Sequence, residues 1–178
     1  HIFWSFVFFI EKLNHTSLLE NITNRSIQIS HNVVSLLFQI EPLVSLWLMQ
    51  NSLCEFFWMY SDFVYLFKRS FTNIWETWLQ FTCSPSPETW IVYFVSVIII
   101  DMFHSMSSKS ELSITEMMEA YPKYIEQCNP SDIGKKALYL YEKFPLQRYT
   151  YVSTELNIEP NDEIETSHKT EEIKDSIM

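Results

Sequence analysis

Three arginines, Arg25, Arg69 and Arg148, are the side chains that could steady charge on a transferring phosphoryl group as fixed, planar cations. Their settings favour other roles. Arg25 falls in a polar stretch, Arg148 stands where an acidic tail begins, and Arg69 closes a long apolar run in FKRSF. A cation at the end of a helix complements the helix dipole, so a structural role is expected for Arg69. The many serines include no G-x-S-x-G elbow, and the spacing of Asp101 and Glu111 gives no support for a carboxylate pair. Cys54, Cys83 and Cys128 are far apart and form no C-x-x-C, so three buried, reduced thiols are expected. The five histidines (His1, His15, His31, His104, His168) lack the close spacing of a metal-binding helix. The single glycine, Gly134, excludes a P-loop and a dinucleotide fingerprint, which need several glycines where backbone N–H groups approach phosphate. No catalytic residue, no metal and no cofactor is therefore expected.

These side chains must be positioned by a largely apolar scaffold. The chain is 47% hydrophobic and 16% aromatic over 178 residues, enough for one domain with a proper core. Its net charge of −10 argues against nucleic acid or an anionic membrane surface as the main partner. Asn14-His-Thr, Asn21-Ile-Thr and Asn24-Arg-Ser are glycosylation sequons within one predicted loop. The start HIFWSFVFFIEKL has no basic lead and no small-residue cleavage site, so a signal peptide is not expected. The run Trp90–Ile100 is short of the roughly 20 residues that span a bilayer, so a buried core helix is predicted and no transmembrane segment.

Periodicity predicts helices almost throughout. Residues 1–13 form an apolar helix and 14–25 a polar loop. In 26–40, Val33, Leu36, Leu37 and Ile40 share one face. Pro42 opens a short helix to Met49, and 53–69, apolar nearly all round, reads as one central helix. Asn73 with Glu76 suggests a cap before IWETWLQF, and Ser86-Pro87-Glu88 starts a long helix to about His104. Ser113-Ile-Thr-Glu116 is a capping box, in a helix that Pro122 is expected to kink or divide. Asn129-Pro130 begins the last helix, with Ile133, Ala137, Leu140, Tyr141 and Phe144 inward. The fold class is all-α, an irregular array of about seven to eight helices over residues 1–145. Residues 146–178, with eight acidic and three basic side chains, read as an acidic, disordered tail that could bind a basic partner.

The order of these segments resembles the C-terminal half of the TBC domain, the helical GTPase-activating domain that acts on Rab-type small GTPases. Ile2-Phe3-Trp4-Ser5-Phe6, followed by Glu11-Lys12-Leu13, is similar to the family's Phe-Trp helix. Phe67-Lys68-Arg69-Ser70-Phe71 resembles its Phe-Lys-Arg-Glu-Phe, and Ile74-Trp75-Glu76 its Leu-Trp-Asp or Leu-Trp-Glu. The likeness runs over about residues 1–104 and more loosely through extra helices over 105–145. Phe3, Trp4, Phe67, Lys68, Arg69, Phe71, Trp75 and Glu76 carry it, as structural rather than catalytic residues. One departure is that only three residues separate Phe71 from Trp75, where the family has more and an Arg.

The resemblance implies a partner, a Rab-type GTPase met through a parent protein, and a cytoplasmic place at the surface of endomembranes. It also implies where catalysis resides. The family supplies an Arg from Ile-x-x-Asp-x-x-Arg and a Gln from Tyr-x-Gln, both upstream of the Phe-Trp helix. Neither pattern occurs in the 178 residues. An arginine finger is worth about 10³–10⁵ in rate, so this chain alone is expected not to accelerate GTP hydrolysis. A non-catalytic TBC-like scaffold is the alternative, and a helical bundle in the endomembrane lumen, prompted by the sequons, is a third reading. Half of such a domain would also leave apolar helix faces uncovered.

Overall fold

A computed structural model describes residues 2–13, 22–106 and 113–146, with residues 2–6 and 22 as backbone only. Among the described residues it is all helical, with no strand. Eight α-helices run in order: α1 (Ile2–Lys12), α2 (Ile22–Ile40), α3 (Pro42–Gln50), α4 (Tyr60–Tyr65), α5 (Ile74–Cys83), α6 (Pro87–Met106), α7 (Ile114–Ile125) and α8 (Pro130–Lys143). A 3₁₀ turn, Phe57–Met59, precedes α4. This is the predicted all-α array. The last described helix, α8, ends at Lys143. The tail read from the sequence over 146–178 lies, apart from Leu146, outside the described residues, as do the sequon asparagines Asn14 and Asn21.

The axis of the core is α6, where every residue from Trp90 to Ile99 is buried. Its 20 residues are long and apolar enough to cross a bilayer by length and composition, but the helix is packed inside the protein. A helix apolar on all sides needs neighbours on all sides, and α2, α3, α5 and α8 all pack against it. Several small hydroxyl side chains on these helices bond back to main-chain carbonyls. Ser96 Oγ donates back to Val92 O at 2.8 Å, Ser45 Oγ of α3 reaches Val34 O of α2 at 3.2 Å, and Ser30 Oγ reaches Ser26 O at 3.0 Å. Gly134 of α8 faces the amide end of the Gln80 side chain, which would have to move aside for a larger residue. A Cβ there would lie 1.9 Å from Gln80 Oε1 of α5.

Most helix starts follow the local signals. Ser113 and Glu116 form the full capping box, with Ser113 Oγ accepting from Glu116 N at 3.2 Å and Ser113 N donating to Glu116 Oε2 at 2.8 Å. Asn129 Oδ1 accepts from Ser131 N at 2.9 Å ahead of Pro130. Asn73 and Glu76 do pair, but side chain to side chain at 3.1 Å, so Asn73 does not cap the α5 backbone. Pro122 does not divide α7, which continues to Ile125. It sits in the last turn, and the carbonyl it deprives, that of Met118, belongs to an exposed residue where water can serve as partner.

Two predicted segments are corrected. The polar loop drawn over 14–25 gives way to α2 from Ile22 onward. Arg25 holds that first turn, donating to Gln28 Oε1 at 2.7 Å and to Glu88 O, at the start of α6, at 3.2 Å. Asn24 is thus an exposed helical residue rather than a loop residue. The central helix drawn over 53–69 is broken. Ser52, Phe56, Leu66 and Phe67 all have positive φ, of 49° to 62°, leaving only the 3₁₀ turn and the six residues of α4 helical. Each left-handed, non-glycine residue costs on the order of 1–3 kcal/mol. Burial offsets this, since Phe56, Leu66 and Phe67 are all in the core. Several large apolar side chains are exposed, among them Leu43, Leu46 and Met49 on α3 and Trp75 and Leu79 on α5.

The segment that follows α8 is tied to α6 by one phenol. Tyr93 Oη of α6 donates to Phe144 O at 3.1 Å and accepts from Leu146 N at 2.7 Å. Tyr93→Phe removes both bonds and leaves a part-buried N–H and C=O to be solvated. We expect a loss of about 1–3 kcal/mol, checked by urea unfolding with an unchanged m-value.

Candidate functional site

Asp62 is the one acid inside the apolar run Phe56–Phe67, and the structure buries it to 1% exposure, the only carboxylate so deeply placed among the described residues. Its burial follows from the local backbone. The α4 helix is ended by Leu66 in a left-handed conformation, and the amide of Phe67 closes onto Asp62 O at 3.2 Å. Phe67, also left-handed, then reverses the chain, with Ser70 N and Phe71 N both returning to Phe67 O at 3.1 and 3.3 Å. That reversal carries Ser70 back over α4, where its hydroxyl donates to Asp62 Oδ1. The second carboxylate oxygen accepts from Tyr121 Oη of α7 at 2.6 Å.

A cleft of about 430 Å³ opens beside this cluster, lined by Trp58, Asp62, Arg69, Ser70, Tyr121 and Glu126 among others. No Lys, Arg or His nitrogen among the described residues lies in ion-pairing distance of Asp62. Burial raises its pKa, and the hydrogen bonds from Ser70 and Tyr121 oppose that rise without cancelling it. Burial, and then the neighbouring Asp62 charge, push the Tyr121 phenol well above its ordinary range, so it acts here as a donor. Ser70 faces a carboxylate with no imidazole between them, which is a structural tie and not a nucleophile with its base. The cluster therefore links α4, the chain reversal and α7.

The residues carrying the family resemblance divide into two groups. Phe67 and Phe71 are core residues, with ring centroids 5.7 Å apart and Phe94 of α6 5.2 and 6.1 Å from them. Lys68 and Arg69 are exposed. The dipole role expected for Arg69 is corrected, because α4 ends at Tyr65, four residues earlier. Arg69 instead stacks on the Tyr65 ring, its guanidinium carbon 4.7 Å from the centroid, at the rim of the cleft. Trp75 is 70% exposed and meets Trp78 edge to face at 5.6 Å, while Glu76 is half-buried against Asn73. Phe3 and Trp4 lie on α1, in the part described as backbone only.

Sequence reasoning passed over Asp62, Tyr121 and Trp78. A lone acid in an apolar run was the available signal for Asp62. Nothing local marks Tyr121, which is 59 residues away. Trp78 stacks on Phe9 of α1 at 4.9 Å and donates to Leu66 O at 3.0 Å, joining α1, the end of α4 and α5.

The thiols also depart from expectation. All three are free, but Cys83 is exposed and Cys54 and Cys128 are half-buried. Cys83 ends α5 with its side chain outward, and Cys128 donates to Tyr124 O at 3.3 Å. Among the described residues, no three His, Cys, Asp or Glu side chains come together as a metal site. A larger cleft of about 560 Å³ lies between the end of α2, α6 and α8, floored by Ile40, Val97, Ile100 and Leu140. Its rim lysines are already engaged, Lys136 with Asp101 at 2.6 Å and Lys135 with Asp132 at 3.0 Å. Compared with known protein families, curated proteins and solved structures, the chain matches none of them.

Proposed function

We propose that the chain supplies the C-terminal, non-catalytic helical half of a TBC-type activating domain for a Rab-family GTPase, working at the cytoplasmic face of trafficking membranes. The observation that supports this reading is the meeting of its motif stretches. The helix of Phe3 and Trp4 and the helix of Trp75 and Glu76 meet at Trp78, which also bonds Leu66 O, the residue just before Phe67–Phe71. A scaffold of this kind orients a finger-bearing segment, and it contributes no charge to the phosphoryl group itself.

The test is phosphate release from GTP-loaded Rab GTPases. The purified chain is expected to leave the intrinsic rate unchanged. Supplying a segment with the Ile-x-x-Asp-x-x-Arg and Tyr-x-Gln motifs is expected to raise it by about 10³–10⁵. Acceleration by the chain alone would overturn the reading. The outward Leu43, Leu46 and Met49 of α3 favour a second one, a binding scaffold that never takes part in catalysis. In that case the added segment changes nothing, while GTPase or another partner is still retained on the chain.

A further inference from the structure

We propose that the outward face of α3 is a homodimer interface: a second copy of this chain covers Leu43, Leu46 and Met49, about a two-fold axis near Leu46. The inference names a partner for the face that favours the scaffold reading, and it needs only the folded chain. Phosphate release tests the GTPase reading and chain mass tests this one, so either can fail alone.

The helix α3 is apolar on both sides. Val44, Trp47 and Leu48 are buried in the core. Leu43, Leu46 and Met49, spaced three apart, fall on the opposite side of the helix and are exposed. None of the nine residues of α3 is charged. A helix apolar all round calls for cover all round. For α6 that cover comes from α2, α3, α5 and α8. The helix α3 packs chiefly on α2 and α6, which serve its buried side, and its outer side is left for another molecule.

Charge selects the second copy as the occupant. Two chains of net charge −10 repel one another. Across a two-fold axis, a charged group near the axis also meets its own duplicate. A self-contact therefore requires an apolar face free of charge. From Ser26 to Cys54 the sequence holds no Lys, Arg or Asp, and its one Glu, Glu41, is engaged by His104 of α6 at 3.2 Å. The exposed positions of α2, against which α3 packs, add Phe38 and the neutral Ser35 and Gln39. The exposed apolar side chains of other helices stand among charges: Met118 beside Glu119 on α7, and Leu138 and Tyr139 between Lys135 and Glu142 on α8. A strongly basic or acidic partner finds no counter-charge on the α3 face, whereas an identical face matches it in polarity and length.

The test is sedimentation of the full chain over about 1–100 μM, the range for a small specific interface. The mass is expected to rise from that of one chain towards that of two and no further, because a two-fold contact closes on itself. Raising NaCl from about 50 to about 300 mM is expected to tighten the association several-fold, since it screens the repulsion between two acidic chains. Leu46→Lys, at an exposed position, is expected to stay monomeric throughout. Met118→Lys, the equal change on α7, is expected to dimerise as the wild type does. Should Leu46→Lys lose its helical circular dichroism, Leu43→Lys replaces it. A wild type monomeric throughout, a mass climbing past two chains, association weakened by salt, a dimer that survives the α3 substitution, or one lost equally in Met118→Lys would overturn the proposal.

Discussion

Phe67→Ala is expected to lower the unfolding free energy by about 3–5 kcal/mol, the range for truncating a fully buried phenylalanine. For a unit of this size that lowers Tm by on the order of 10 °C. The ring is 0% exposed and packs against Phe71, Phe81 and Phe94, so its loss leaves a cavity where the chain reversal, α5 and α6 meet. Phe67→Gly sharpens the test. In most folded positions glycine is the worse choice by about 0.5–1 kcal/mol. Phe67 has φ 62°, where alanine is strained and glycine is not, so the Gly variant is expected to be the more stable of the two by about 1 kcal/mol. Urea unfolding of the three proteins checks the order. An Ala variant as stable as the wild type, or more stable than Gly, would count against the backbone described here.

Asp62→Ala is expected to cost about 2–4 kcal/mol at neutral pH. Two hydroxyls, those of Ser70 and Tyr121, lose their acceptor, and an unpaired buried donor costs about 1–3 kcal/mol. Relief from desolvating a carboxylate offsets part of this. The double variant Asp62→Leu, Tyr121→Phe removes both ends of the buried bond and is expected to recover most of the loss. The pH dependence has a definite sign. Burial raises the folded-state pKa of Asp62 above the unfolded one, so folding takes up a proton between the two values. This group's contribution is full below the unfolded pKa, near 4, and is lost as pH rises through the folded pKa. The stability difference between wild type and Asp62→Ala is therefore expected to shrink across that rise and then level off. Denaturation curves at pH 4, 5.5 and 7.5 measure it, and a difference that grows with pH would contradict the sign.

Much of the helical array was legible because its signals are short-range. A cap and its partner lie within four residues, so Ser113 with Glu116 and Asn129 before Pro130 could be read directly, and the long apolar helix does start at Pro87. The apolar run of α6 likewise marks a core helix, since no surface helix tolerates it. The run over 53–69 carries the same signal with a different outcome. An apolar pattern with no polar face records burial and not backbone path, and no glycine marks the left-handed turns at Phe56, Leu66 and Phe67. Those turns are strained locally and tolerated because ring packing from α5 and α6 overrides the backbone preference. Arg69 was read as a helix-end cation for that reason: its role depended on a helix that tertiary packing ends at Tyr65.

What the sequence determined by itself is therefore the helical class, most helix starts, and the absence of both finger motifs from the 178 residues. What only the tertiary structure decided is which groups meet. Asp62 and Tyr121 are 59 residues apart, and Phe9 and Trp78 sit on helices far apart in the chain. No local propensity encodes such pairs. They arise when amphipathic helices close around α6 and the buried polar atoms must find partners among whatever the packing brings near.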